Sequence, residues 1–130
     1  LVGRVAQITS SAALVELITD PAVTVNVRLE PSRAEAVLSG SITGDIVLDM
    51  IPQDINVETG ALVLTSGLGG NYPPNILIGQ VTGVRSQDFD LFQSVSMQPV
   101  VDFNNLEIVL VISNFQPIDI TPLEPTPSAP

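Results

Sequence analysis

Cysteine, histidine and tryptophan are absent from these 130 residues, and the four cationic side chains are all arginine, so lysine is absent too. Each absence removes a chemistry. No disulfide can form, so cysteine usage leaves the redox compartment undefined. Zinc sites built from Cys and His are excluded. Without an imidazole to act as base, Ser-His-Asp and Cys-His nucleophilic sets are excluded as well, and a Ser-Lys dyad falls with lysine. Cations are scarce: four Arg stand against eight Asp and six Glu, a net charge of −10. That is too few to neutralise a run of phosphates, so nucleic acid is not an expected partner, and anionic membrane surfaces are disfavoured on the same ground. No segment approaches the roughly 20 consecutive apolar residues of a spanning helix. There is no initiator Met, and Leu1-Val2-Gly3 reads as mid-strand sequence. An excised fragment is therefore expected, with any anchor or targeting element upstream.

What remains is aliphatic. Hydrophobic residues make up 45% of the chain but aromatics only 4%, so the core must be Val, Ile and Leu, which favours strands. Eleven prolines and nine glycines agree with many short strands and turns. The expected fold class is all-β.

Leu1 to Ile8 reads as a strand interrupted at Gly3, and Ala12 to Thr19 as a second, closed by Asp20-Pro21. Ala22 to Leu29 alternates cleanly, with Val23, Val25, Val27 and Leu29 on one face, the mark of a half-buried antiparallel strand. Ala36 to Leu38 predicts a short strand ending at Ser39-Gly40, and Asp45 to Ile51 another. Gln53 to Gly60 reads as a turn-rich link with Ile55 and Val57 dipping inward. Leu62 to Thr65, Ile78 to Val84 and Gln93 to Gln98 follow as strands, with an acidic loop Ser86 to Leu91 before the last. The apolar run Leu106 to Ile112 predicts a strand covered on both faces. Five of the last fourteen residues are proline, so residues 113–130 read as a disordered, proline-rich tail.

A weak internal repeat relates Val2-Gly3-Arg4-Val5 to Ile78-Gly79-Gln80-Val81, each followed by a polar loop, an apolar strand and a proline, Pro21 or Pro99. It supports two small antiparallel barrel-like subdomains. The expected division gives residues 1–29 and part of 95–112 to a first subdomain, truncated at its N-terminus, and residues 30–94 to a second.

The glycine-rich stretch Gly67-Leu68-Gly69-Gly70, followed by Asn71-Tyr72-Pro73-Pro74, invites comparison with a phosphate cradle. It lacks the helix start of a dinucleotide loop and the Gly-Lys-Ser/Thr ending of a P-loop. Gly67, Gly69, Gly70 and Pro73 therefore read as structural loop residues, as do Gly3 and Gly79 within their strands. Positive φ is expected at Gly67. Ser66 has no base to activate it. Asp88 and Asp90 are candidate paired carboxylates or calcium ligands, but a solvated acidic tip explains them more simply. Asp45, Asp49 and Asp54 lack the Gly and Glu of an EF-hand loop. No catalytic set, cofactor site or metal site is expected. Tyr72, Phe89 and Phe92, three aromatics placed in loops, are candidate partner anchors or lids over barrel ends.

Leu1-Val2-Gly3-Arg4-Val5, Leu17-Ile18-Thr19-Asp20-Pro21, Val63 to Gly70 (VLTSGLGG), Pro73, Gly79-Gln80-Val81 and the Leu106 to Ile112 run together resemble MreC, a family of bacterial rod shape-determining proteins. The resemblance covers about Leu1 to Ile112. It departs at Gly60-Ala61, where the family often has Gly-Asp, so no role of that acid is carried over. The family's transmembrane helix, coiled coil and first β segment are not present. The resemblance implies a non-catalytic scaffold on the outer face of the cytoplasmic membrane, tied to the membrane only through that upstream helix. It implies paired barrels, arranged similarly to chymotrypsin-like proteases but without their catalytic residues. It also implies self-association as a dimer or filament, and a link between MreB and MreD and the elongation penicillin-binding transpeptidase. A carboxylate-dependent or calcium-binding β domain acting on wall polysaccharide is the alternative, motivated by the acidic surplus alone.

Overall fold

A computed structural model describes residues 1–85 and 91–116. The strands are β1 (Gly3–Ile8), β2 (Ala13–Leu17), β3 (Thr24–Glu30), β4 (Glu35–Gly40), β5 (Ile46–Pro52), β6 (Leu62–Thr65), β7 (Leu77–Arg85) and β8 (Phe92–Pro99), with one 3-10 turn at Leu68–Gly70. The described residues are all-β apart from that turn. Strands β3 to β8 close into a barrel in the order β3-β4-β5-β8-β7-β6, and β1 and β2 form a separate two-stranded sheet.

The alternation in β3 builds the barrel wall. Val25, Val27 and Leu29 point into the core, where they meet Leu38 of β4, Leu48 and Ile51 of β5, Val63 of β6, Ile78 and Val81 of β7, and Val95 of β8. Each buried aliphatic side chain contributes roughly 1.5–3 kcal/mol relative to exposure. Closure comes from β3, which pairs antiparallel with β4 on one side and β6 on the other. All six barrel strands are thereby paired on both sides, which removes sheet edges. Irregularities between Leu48 and Ile51 and between Val81 and Gly83 bend the sheet as it closes. At the first, Met50 takes a φ of 68° and its side chain turns outward.

The hairpin β1–β2 is docked on the barrel. Ile18, just past β2, lies fully buried in the common core, and Leu1 packs against it. Gly40 lets the Thr19 carbonyl approach so closely that a Cβ would collide with it. β4 ends at Gly40, as the sequence indicated, and Gly40 pairs with Ile46 in the sheet while it receives the incoming hairpin.

Two expectations are corrected. β3 belongs to the closed barrel and not to the first subdomain, because its hydrogen-bond partners are β4 and β6; β8 likewise pairs with β5 and β7. Leu106–Ile112 is not a covered strand. It forms no ladder with the described residues, and Ile108 is 87% and Leu110 94% exposed. An apolar pattern makes a strand only where another backbone is available to pair with it. The Gln53 to Gly60 link is as expected: Val57 is buried and Ile55 packs on the core. The tail beyond Gln116, and the loop residues Asp88, Phe89 and Asp90, lie outside the described residues.

Candidate interaction surfaces and the loop that supports them

Thr65, fully buried at the end of β6, organises the glycine-rich loop. Its Oγ1 donates to the Pro73 carbonyl at 2.6 Å and accepts from the Ile76 amide at 2.9 Å. Its backbone completes the grip: the Thr65 amide donates to the Ile76 carbonyl and the Asn75 amide to the Thr65 carbonyl. Pro73 thus contributes through its carbonyl, the one backbone group proline keeps. Gly67 has φ 82°, the left-handed region expected for it, and a side chain there would press on Pro74. The Leu68 amide donates to Ser66 Oγ, the Gly70 amide to the Gly67 carbonyl, and Asn26 Nδ2 to the Leu68 carbonyl. The Leu68 and Gly70 amides are thus spent on the loop's own closure.

Tyr72 is only 9% exposed. The loop folds back so that its ring joins the core, near Arg4 and Glu16 of the hairpin, and burial pushes its hydroxyl pKa upward. As an exposed anchor it is corrected: a covered ring holds the loop and hairpin in place. Phe92 is 43% exposed and stands opposite Pro52. Gln93 beside it is buried and was not expected to matter. Its Nε2 donates to the Pro52 and Ile55 carbonyls at 3.0 and 2.6 Å, tying the 53–57 link to β8. Neither Gln93 nor Thr65 carries a sequence signal, since both residue types are ordinary in strands.

Gly3 and Gly79 do the same job in different hairpins. Gly3 faces Leu17 and Gly79 faces Pro99. A Cβ on Gly3 would strike the Glu16 carbonyl, and one on Gly79 the Gln98 carbonyl, in each case the residue before the facing one.

The described surface offers apolar contact and little chemistry. Ile8, Leu14 and Val15 are exposed on the hairpin, and residues 106–112 are exposed along their length. On the barrel, a shallow groove of about 330 Å³ runs over Gly83, Ser94 and Ser96, between Val47 and Val84–Arg85. Among the described residues no three of His, Cys, Asp and Glu gather as metal ligands would. Asp102 is fully engaged in a turn, where hydrogen bonds from the Asn105 side chain and the Asn104 amide lower its pKa.

The model of the rod shape-determining protein MreC barrel core matches residues 1–113. The chain belongs to the MreC family. The cell shape-determining MreC of Listeria monocytogenes is 32% identical over 117 residues, covering 86% of this chain and 40% of that protein. The solved Listeria MreC superposes with a TM-score of 0.70 at 30% identity, over 78% of this chain and 50% of that one. MreC of Helicobacter pylori, in its complex with the penicillin-binding protein PBP2, has the same fold, with a TM-score of 0.60 at 20% identity over 70% of this chain and 57% of that one. This chain therefore spans less than half the length of the curated Listeria relative. The family is one of cell shape-determining proteins, not of enzymes.

Proposed function

We propose that this chain is the barrel module of a scaffold in the bacterial elongation machinery. It works on the extracytoplasmic side of the cytoplasmic membrane, held there by a transmembrane helix in the remainder of a longer protein. It self-associates and binds the penicillin-binding transpeptidase of lateral wall synthesis, linking it to MreB and MreD. The observation that carries this reading is the family match over residues 1–113, joined to the exposed aliphatic side chains of the β1–β2 hairpin and of residues 106–112. The Helicobacter complex supports the choice of partner, because a relative of the same fold is held there by a penicillin-binding protein. Restricted aromatic content points the same way as to energetics: contact must come from aliphatic patches and backbone rather than from Trp or Tyr anchors.

The test is cell shape. Depleting the complete protein from its own bacterium is expected to turn rods into spheres, and re-expression is expected to restore rods. Removal of residues 1–113 from the re-expressed protein should abolish that rescue. Rods that persist without these residues would refute the proposal.

A further inference from the structure

The groove over Gly83, Ser94 and Ser96 lies on the outside of the barrel, where β8 runs between β5 and β7. Ser94 and Ser96 alternate with the buried Gln93, Val95 and Met97, so their hydroxyls face outward. Ser96 pairs with Val47 on one side and with Gly83 on the other. That row across three strands carries a valine, a serine and then no side chain. A Cβ at Gly83 would stand 3.1 Å from Ser96 Oγ, so the glycine keeps the floor low. The irregularity between Val81 and Gly83 is what brings the glycine opposite Ser96. Two strand spacings make the trough about 10 Å across, about the width of one extended chain. Its volume of about 330 Å³ has room for a few side chains, not for a folded partner.

Of the residues that line the groove only Arg85 is charged, and that charge stands alone. Arg4 pairs with Glu16, and Arg28 and Arg33 both pair with Glu30, whereas the exposed Arg85 makes no ion pair among the described residues. Ser96 Oγ is only loosely held, with contacts of 3.4 Å to Thr82 Oγ1 and to the Gly83 carbonyl. β5, β8 and β7 are each paired on both sides, so no ladder position is open. An occupant must therefore bind through its side chains and not as an added strand. The chemistry that fits is an extended, acidic segment with an aliphatic side chain and few amide hydrogens.

We propose that the occupant is this chain's own tail: Pro122-Leu123-Glu124-Pro125 lies along β8, with Leu123 over Ser94 and Ser96 and Glu124 on Arg85. Charge supports the choice, because residues 117–130 hold two acids, Asp119 and Glu124, and no cation, against the lone cation of the groove. Backbone chemistry supports it too. Pro122 and Pro125 stand three residues apart, one turn of a polyproline helix, and neither can donate to a ladder. Such a segment is already extended when free, so docking orders it at little cost. Length permits the contact. Residues 117–130 span at most about 50 Å when extended, whereas a body of roughly 100 residues has a radius of gyration of about 13 Å. The tether raises the local concentration of the tail, so a shallow site with one ion pair suffices.

The proposal is independent of the partner assigned above and is tested by disulfide trapping in the complete protein, with any native cysteine replaced by serine. Thr121→Cys in the tail is combined with Ser96→Cys in the groove, or with Thr24→Cys, exposed on β3 across the barrel. The disulfide to position 96 is expected to form at least about tenfold faster than that to position 24, at a rate independent of protein concentration. Arg85→Gln should slow it about three- to fivefold, the worth of one exposed ion pair. Glu124→Gln, which leaves the barrel untouched, should do the same, and the two together should do no more than either alone. Equal rates at positions 96 and 24 would overturn the proposal, as would a rate indifferent to both charge substitutions. Disulfides between copies that increase with concentration would assign the groove to a second chain and overturn it. Trapping that appears only with added transpeptidase would overturn it equally.

Discussion

Replacing Thr65 by Val keeps the shape of the side chain and removes only its hydroxyl. Thr65 is fully buried, and its Oγ1 serves both the Pro73 carbonyl at 2.6 Å and the Ile76 amide at 2.9 Å. The variant leaves a donor and an acceptor without that partner, at about 1–3 kcal/mol each. The added methyl returns about 0.8 kcal/mol through burial. The net loss is about 1–5 kcal/mol, which for a domain of this size lowers Tm by about 4–20 °C. Thr65→Ser keeps both hydrogen bonds and gives up one methyl, so it should lose only about 1 kcal/mol. Urea denaturation followed by far-ultraviolet circular dichroism measures both variants, with an unchanged m-value showing that the denatured state is unaltered. A Thr65→Val protein within about 0.5 kcal/mol of the parent, or less damaged than Thr65→Ser, would refute the argument that this hydroxyl organises the loop.

Gly79→Ala forces a Cβ onto the Gln98 backbone inside the closed barrel, so it should cost about 2–3 kcal/mol of global stability. Gly3→Ala makes the matching collision in the two-stranded sheet; exchange should quicken in β1 and β2 while barrel Tm moves little, and equal Tm losses would contradict the division between them. Gly67→Val places a β-branched residue at φ 82° and should cost roughly 1–2 kcal/mol or more in the same denaturation assay. Burial raises the Tyr72 pKa, so above pH 10 the unfolded chain ionises first and binds fewer protons than the folded one. Stability should therefore fall as pH rises through that range and level off above the folded pKa. Tyr72→Phe should remove this part of the decline, as read by urea midpoints against pH.

The strands were legible where side-chain period and burial coincide. β3 shows strict alternation, and its inward set Val25, Val27 and Leu29 is the set that the structure buries. Positive φ at Gly67 was legible because the loop needs a conformation that β-carbons oppose. The repeat was visible at Gly3 and Gly79 for a related reason: both sit where a facing carbonyl leaves no room. Pairing partners were not legible. Period tells which face of β3 is buried but not which strands lie beside it, so β3 was assigned to the wrong subdomain. The same limit explains Leu106–Ile112, whose composition is right for a strand while its neighbours are not among the described residues. Sequence left Tyr72 between an anchor and a lid because its burial depends on how the loop returns to the hairpin, a long-range contact that local sequence does not encode.

The central claim, that this barrel module is a wall-synthesis scaffold, is tested most directly by titration calorimetry between the complete protein and its own bacterium's elongation penicillin-binding protein. The account predicts saturable binding at a fixed stoichiometry, lost when residues 1–113 are deleted. Absence of heat at saturating concentrations, or binding that survives the deletion undiminished, would contradict it.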